Sequence, residues 1–201
     1  MGSSQADKAA SHDRIVNIAA ARMRRDGVNG VGVAELMQEA GLTHGGFYNH
    51  FASKNELAVE VCGASFADSL GALARIVEDG PDESATPMER VVTEYLSTGH
   101  RDADDGGCPS AALVTDAGRQ SEAVQRAYAD GVEGYLTGFA AEFLREARER
   151  GQETDPDEAR ARAIRLFSEL VGAMTIARAV RNVQPGLSDE ILRTGREHAL
   201  D

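Results

Sequence analysis

The chain has 201 residues, 42% of them hydrophobic and 27% charged, and a formal net charge of −12. This composition is typical of a soluble globular protein with one good-sized core, or with a small module attached to a larger one. Its two cysteines are too few for a disulfide framework, no apolar run approaches the ~20 residues of a membrane span, and the first residues lack a signal-peptide core, so we expect a cytoplasmic protein.

The excess of negative charge lies entirely in the second part of the chain. Residues 1–56 carry six basic and six acidic side chains, whereas residues 57–201 carry 15 basic and 27 acidic ones. Residues 40–55 contain no Asp or Glu. Such asymmetry suggests two parts with different partners, so the net charge does not exclude nucleic acid as a partner of the first part.

Strand patterns are nearly absent, and apolar residues recur at helical spacing from end to end. They predict helices over residues 12–26, 33–40, 53–79, 87–100, 109–119, 121–150, 156–181 and 188–199. Gly27 is placed to end the first helix, and Ser53 and Glu56 form a capping box that opens the long helix at 53. Asp155 and Pro156 suit the cap and the first position of the helix at 156. A linker and a loop are predicted at Gly80–Thr86 and His100–Gly107.

Between the second helix and the long one lies the segment GLTHGGFYNHF, residues 41–51. Gly45 and Gly46 each cost a helix interior about 1 kcal/mol relative to Ala, so they need a reason to be there. Short helices, a glycine turn and an acid-free segment together form a helix-turn-helix, whose last helix enters the major groove of DNA. The glycines would let that backbone approach the duplex closely, with Thr43 as the helix cap and Phe47 and Phe51 facing the core.

This stretch resembles the DNA-binding head of TetR-type (TetR/AcrR) transcriptional regulators from Asp13 to Leu57. The resemblance is carried by an ordered set of residues, Gly27–Val33 (GVNGVGV), Glu35-Leu36, Ala40-Gly41-Leu42-Thr43, Gly45, Phe47-Tyr48, His50-Phe51 and Lys54. It implies an all-α protein with a three-helix helix-turn-helix DNA-binding domain at 1–52 and a larger C-terminal effector-binding and dimerisation domain at 53–201. It also implies a homodimer whose heads contact successive major grooves of a palindromic operator.

Carried over residue by residue, the family pattern gives a set of DNA-binding positions, Thr43, His44, Gly45, Gly46, Tyr48, Asn49, His50 and Lys54. Phosphate contacts fall to Thr43, Tyr48, His50 and Lys54. His44 and Asn49 are the candidates for contacts to base edges. Gly32 departs from the family, which often has Thr or Ser there to cap the second helix and touch phosphate. Because the glycines leave few side chains for direct readout, DNA shape is expected to carry more of the specificity.

Some of these residues have a second interpretation. Tyr48 and His50 are either DNA contacts or ordinary surface residues of a helical bundle. Arg22, Arg24 and Arg25 are either further DNA contacts or basic residues that suit the C-terminal end of the first helix, where the helix dipole favours positive charge. We favour DNA contacts for the first pair and the dipole for the three arginines.

The larger part of the chain carries no catalytic constellation. The histidines and cysteines lack zinc-ligand spacing, and there is no phosphate loop or nucleophile elbow, so we expect no enzyme, no metal site and no cofactor. Ligand cavities in helical bundles form between helices. Plausible walls of such a cavity are Phe66, Tyr95, Cys108, Leu113, Tyr135, Phe139, Phe167 and Met174. An apolar or aromatic effector follows from this lining, although the stripe from Tyr128 to Phe143 suits core packing at least as well.

Cys108 has two interpretations as well. It lies at or just before a predicted helix N-terminus, a position that lowers the pKa of a thiol, whereas nearby acids raise it. It is therefore either a structural cysteine or a sensor of oxidants or electrophiles, and we favour the structural role.

The helices at 156–181 and 188–199 stand where the resemblance implies a dimer interface. Gly172, Ala173 and Ala177 would permit close approach of two helices there, or would pack within one chain.

The sequence as a whole predicts a ligand-responsive transcriptional regulator, most simply a repressor, that binds double-stranded DNA as a homodimer and is released by a small-molecule effector. The helix at 53–79 would transmit effector binding by changing the separation of the two recognition helices. The alternative is a helical small-ligand carrier or scaffold whose helix-turn-helix does not bind DNA, which the glycines and the acidic body favour.

Overall fold

The computed structural model describes residues 5–78, 85–103 and 107–201. Every regular element in these ranges is helical, which confirms the all-α prediction. The elements are α1 (Gln5–Asp26), α2 (Val33–Glu39), a 3-10 helix (His44–Asn49), α3 (Lys54–Glu78), α4 (Pro87–Tyr95), α5 (Thr98–Arg101), α6 (Pro109–Ala112), α7 (Val114–Ala117), α8 (Glu122–Glu149), α9 (Pro156–Val180) and α10 (Pro185–His198).

The chain divides into two compact units. The first comprises Met1–Ala67 and Asp104–Asp130, and the second comprises Asp68–Ala103 and Gly131–Asp201. The first unit thus contains the whole helix-turn-helix together with α6, α7 and the start of α8. The functional boundary between residues 52 and 53 stays a prediction.

One apolar cluster holds the first unit together. Phe47 and Phe51 are 1% and 2% exposed and lie in this cluster, which confirms that both face the core. Leu57 continues the cluster into α3, and Leu113 and Val124 add to it from the part of the chain beyond residue 107. Burial of one such side chain stabilises the fold by roughly 1.5–3 kcal/mol. Packing of the helix-turn-helix therefore depends on residues from α3 and from the segment at 107–130.

Helix ends follow the predicted chemistry. Gly27 has φ +80°, and its N–H donates to the Met23 carbonyl at 3.0 Å, so α1 ends in the left-handed conformation that favours glycine. At the start of α3 the Glu56 N–H donates to Ser53 Oγ at 3.1 Å. The Glu56 carboxylate accepts the N–H of Ala52 instead of that of Ser53, so the capping box is displaced by one residue.

Several predicted helix bounds need correction. α1 begins at Gln5, seven residues earlier than position 12, and the last helix begins at Pro185, whose ring suits a first helical turn. The predicted helix at 87–100 is divided because Ser97 Oγ accepts the His100 N–H at 3.0 Å and starts a new helix. The helix at 109–119 is divided at Leu113.

The two predicted loops are only partly described. Residues 79–84 of the linker and 104–106 of the second loop lie outside the described ranges. Thr86 belongs to α4 as its cap, in a capping box with Glu89. His100 and Arg101 belong to α5, so the second loop begins later than predicted.

In the second unit, Arg101 connects the end of α5 to α10. Its side chain is 10% exposed and donates to Ser188 Oγ at 2.8 Å and to Asp189 at 2.6 Å, with Asp102 as a third partner. Arg178 of α9 donates to the His100 carbonyl at 2.8 Å. Because these groups are charged and partly buried, each bond stabilises the junction more than a neutral surface bond would.

Helix α3 is long and apolar enough to cross a membrane, with a mean hydropathy of 1.4 over its most apolar stretch, contrary to the expectation from the sequence. Core helices of soluble proteins meet the same criterion. Leu57, Val61 and Phe66 of this helix are buried in the protein, 0–2% exposed.

Candidate nucleic-acid interface

The recognition segment is a 3-10 helix, His44–Asn49, rather than an α-helix. Thr43 caps it, because its Oγ1 accepts the Gly46 N–H at 3.3 Å. A hydroxyl has one hydrogen to donate besides its acceptor lone pairs, so this cap leaves the Thr43 O–H available for a phosphate oxygen. The tight winding suits short segments and places residues three apart on one side.

Gly45 and Gly46 differ in their surroundings. A Cβ built on Gly45 would meet no atom of the described protein within 4 Å, whereas one on Gly46 would lie 3.4 Å from Thr43 Oγ1 and 3.6 Å from Met37 Cε. Neither glycine has a positive φ. Gly45 is therefore required neither by backbone conformation nor by internal packing, and its bare surface is turned outwards.

The other predicted contact residues differ in how much of their side chain is exposed. Tyr48 is 65% exposed, and its ring stands edge-on to the buried Phe47 ring at 5.4 Å between centroids. His44 and Asn49 are exposed and Lys54 is half-buried. Because most of the Tyr48 ring is exposed to water, apolar burial does not explain its position. Its hydroxyl is therefore a candidate donor to a phosphate oxygen.

His50 is the most unusual of the predicted contacts. Its Nδ1 atom is buried without a hydrogen-bond partner among the described residues. Burial lowers the pKa of His50, and the neighbouring positive charges of His12 and Lys8 lower it further. The ring of His12 lies 6.1 Å from that of His50 and is paired with Glu60 at 3.3 Å. The lowered pKa favours the neutral form of the His50 ring, next to the positive charges of His12 and Lys8.

Two acids of the first unit pair with arginines of α1. Glu39 accepts from Arg22 at 2.9 Å, and Asp26 accepts from both Arg22 and Arg25. These bonds, that of Arg25 first, lower the pKa of Asp26. Arg24 donates to Ser65 Oγ at 3.0 Å. All three arginines therefore have partners within the protein, which supports their interpretation as residues of the helix end.

Two features of the first unit were missed at the sequence level. Lys8 and Ser11 line a polar pocket together with residues of the recognition segment, and the helix predicted to begin at 12 left both outside. Asp116 of α7 accepts the Val28 N–H at 2.7 Å, and a Cβ on Gly27 would lie 2.6 Å from the same carboxylate oxygen. No local pattern signals a contact across 88 residues.

The predicted ligand-pocket residues do not fall in one unit. Phe66, Cys108 and Leu113 belong to the first unit, and the second contains Tyr95, Tyr135, Phe139, Phe167 and Met174. Leu113 belongs to the core cluster of the helix-turn-helix. In the second unit the Tyr135 ring lies 5.4 Å from Phe167 and 5.8 Å from Phe139, all well buried. Their part in ligand binding stays a prediction.

A groove of about 330 Å³ opens in the second unit between α3 and α8. It is lined by apolar residues, among them Leu70, Leu73, Val77 and Phe139, and Arg145 stands at its edge, paired with Glu142. Leu70 reaches into the space above Gly134, where a Cβ would lie 2.7 Å from its Cδ1 atom. The glycine thus shapes one wall of the groove.

Both cysteines are buried, and neither forms a disulfide within the described residues. The Cys108 thiol is 6% exposed and donates to Ser110 Oγ at 3.2 Å. Burial raises the pKa of Cys62 to about 11, which keeps that thiol protonated. Reaction of Cys108 with a solute would require local opening, so its role as a sensor stays a hypothesis.

Residues 15–61 match the model of bacterial regulatory proteins of the tetR family. This range contains most of α1, all of α2 and the recognition segment, and the first turns of α3. The chain belongs to the TetR family. As a TetR-family protein it is a DNA-binding transcriptional regulator.

Relatives agree with this assignment. The chain is 30% identical over 88 residues to the HTH-type transcriptional repressor KstR2 of Rhodococcus jostii, which covers 44% of this chain and 43% of KstR2. The match thus spans less than half the length of that repressor. An HTH-type transcriptional regulator of Mycobacterium tuberculosis is 25% identical over 179 residues, 86% of this chain and 87% of that protein.

Solved structures share the fold over nearly the whole chain. The reduced form of Escherichia coli NemR superposes with a TM-score of 0.77 at 21% identity, covering 94% of this chain and 95% of NemR. A TetR-family regulator from Agrobacterium tumefaciens gives 0.75 at 20% identity, covering 94% of this chain and 97% of that one. At this identity the likeness is one of fold alone.

Proposed function

We propose that this TetR-family regulator is a repressor that binds a palindromic operator as a homodimer and is released by an apolar or aromatic small molecule. The observation that carries the proposal is the bare outward surface at Gly45, which lies in a stretch without Asp or Glu from residue 40 to residue 55, between the cap residue Thr43 and the exposed Tyr48. A backbone without side chains approaches a duplex closely, and the groups around it suit phosphate. A carrier that had lost DNA binding would have no use for this combination.

Dimerisation is supported by apolar residues on the outer face of α9 and just beyond it. Ile164 and Ile176 are 45% and 54% exposed and flank Gly172 on the side of α9 opposite its buried residues. A Cβ on Gly172 would meet no atom of the described residues within 4 Å, whereas Ala177 is fully buried and packs within its own unit. Val183, which precedes α10, and Leu187, in the first turn of α10, are also exposed. A two-fold interface on this face would bury all four side chains.

The groove between α3 and α8 is the best-supported place for an effector in the second unit. Its walls are apolar, and a groove of this size admits a small organic molecule. A ligand there would contact α3, whose first turns pack in the core of the helix-turn-helix. Coupling of about 1–3 kcal/mol through this helix would lower DNA affinity about 5- to 150-fold. A regulator of this kind acts where the chromosome is, in the cytoplasm.

Selection of genomic fragments by the purified protein, followed by footprinting of the retained fragments, tests the proposal. The expected result is one palindromic footprint with two half-sites about 34 Å apart, and an affinity that falls steeply with salt. Retention of fragments no better than random duplex in dilute buffer would overturn DNA recognition. A persistent monomer at the concentration that gives the footprint would overturn the dimer alone.

A further inference from the structure

A polar pocket of about 460 Å³ opens in the first unit between the start of α1 and the recognition segment. It is lined by Lys8, Ser11, Leu42, Thr43, Gly46, Asn49 and His50. The lining contains an ammonium, an imidazole, two hydroxyls and an amide, and it contains no carboxylate. Donors without a counter-charge form a site for an anion, since each prefers a negatively charged acceptor.

Lys8 is the positive charge of this pocket. It is exposed, and it makes no hydrogen bond or ion pair with any residue in the described ranges. It occupies the second turn of α1, in the part of that helix that precedes the TetR-family match at residue 15. The ammonium is therefore free to move towards an anion in the pocket.

His50 provides the second reason to expect an anion. Its Nδ1 is buried without a partner in the described protein, and an unsatisfied buried nitrogen destabilises the fold unless a partner arrives. Glu60 is the nearby acid of α3, and it is paired with His12 rather than with His50. The pocket thus combines an unpaired cation with a buried ring nitrogen that has no partner among the described residues.

We propose that this pocket holds a phosphate of the DNA backbone and that Lys8 and Ser11 are contacts of the DNA interface. This inference rests on the proposed function, because the phosphate belongs to the operator duplex. The start of α1 then clamps one strand while the recognition segment lies in the groove. Thr43 connects the two features, because it caps the recognition segment and also lines the pocket.

The lysine content of the chain allows a direct test. Lys8 and Lys54 are its only lysines, so reductive methylation with a ¹³C label gives NMR signals from these two side chains and the terminal amine. Methylation keeps the positive charge. On addition of a duplex selected from genomic fragments, both lysine signals are expected to shift. A shift of Lys54 alone would overturn the inference and leave DNA binding intact, whereas no shift and no complex would overturn the proposed function itself.

Inorganic phosphate, added as a separate probe at the same ionic strength, distinguishes a duplex phosphate from a free anion. Lys8 is expected to shift strongly with duplex and only weakly with inorganic phosphate. Saturation of Lys8 by millimolar phosphate, with no effect of Lys8→Gln on duplex binding, would identify a free-anion site and overturn the inference.

Lys8→Gln supplies a readout independent of NMR. The slope of log affinity against log salt is expected to fall by about one for each Lys8, which is about two for the homodimer, with binding at low salt weakened roughly tenfold per subunit. Arg148→Gln removes the same charge from an exposed position of the second unit and is the matched control, expected to leave the slope unchanged. An unchanged slope in Lys8→Gln, with Lys54→Gln showing the reduction, would contradict the role of Lys8.

Discussion

Replacement of Gly45 by Ala separates two roles that a glycine can have in this segment. The added Cβ meets no atom of the described protein within 4 Å, and the native φ is not in the left-handed region. The free protein therefore gains stability, because Ala has less backbone freedom to lose on folding. The gain is up to about 1 kcal/mol, or about 2–4 °C in Tm for a chain of this length.

The effect on DNA binding is expected to have the opposite sign. If the backbone at Gly45 lies against the duplex, the methyl group has to displace either the helix or the DNA. Overpacking by one carbon costs about 1–3 kcal/mol, which corresponds to about 5- to 150-fold weaker binding. Gly46→Ala is less informative, because its Cβ would press on the Thr43 cap.

Thermal denaturation and fluorescence anisotropy with the selected duplex measure the two effects on the same sample. Gly63→Ala is the matched control: Gly63 is an exposed glycine of α3 whose added Cβ also meets nothing within 4 Å. It is expected to raise Tm and leave affinity unchanged. If Gly45→Ala raises Tm and binds DNA as tightly as the original protein, close approach of the backbone is refuted.

Three further predictions concern other parts of the molecule. DNA binding is expected to raise the pKa of His50, so affinity in anisotropy titrations should rise as the pH falls from about 8 to about 6 and weaken again as the pH rises through the raised value. His50→Gln should flatten this profile. His12→Gln should keep most of it, because His12 is paired with Glu60 and its replacement leaves His50 and Lys8 in place. Arg101→Ala is expected to cost about 1–3 kcal/mol in thermal denaturation, whereas Arg160→Ala, which breaks an exposed pair with Glu133, should leave Tm nearly unchanged. Ile176→Glu places a charge on the proposed dimer face and should yield monomers in sedimentation, whereas a control such as Glu190→Gln should stay dimeric; a dimer that persists in Ile176→Glu would contradict an interface on this face.

The free protein should respond to acid in the opposite direction from its DNA complex. The pKa of His50 is lowered in the fold from an ordinary value of 6.5, so the folded state prefers the neutral ring. Stability from this group is therefore present above the unfolded-state pKa and is lost as the pH falls below it.

Elements with strong local signals were predictable from the sequence. Gly27 ends α1 because glycine tolerates a positive φ. Phe47 and Phe51 are buried as predicted, although Phe51 follows the 3-10 helix instead of sharing an α-helical face with Phe47. The 3-10 winding of residues 44–49 was not predictable, since glycine-rich sequences lack a side-chain pattern that distinguishes it from an α-helix. The start of α1 was missed because residues 5–11 are polar and small, without an apolar stripe.

Contacts between distant parts of the chain could not be predicted from the sequence. The pocket at Lys8 joins α1 to a segment more than 30 residues later, and periodicity carries no information on which helices meet. The predicted ligand lining was chosen for apolar character, which core and cavity residues share. Leu113 illustrates the difficulty, because it lies in the core of the helix-turn-helix.

The hydrogen bond from the Val28 amide to Asp116 limits how this protein can be cut or recombined. A fragment ending at residue 52 would lose the acceptor for that amide and would leave gaps where Leu113 and Val124 now fill the core. Exchange of DNA specificity between family members by grafting residues 1–52 alone is then a poor strategy. A transplant that carries α6, α7 and the first turns of α8 along with the head would keep both the acceptor and the filling side chains, and the pair Gly27 and Asp116 should be moved together.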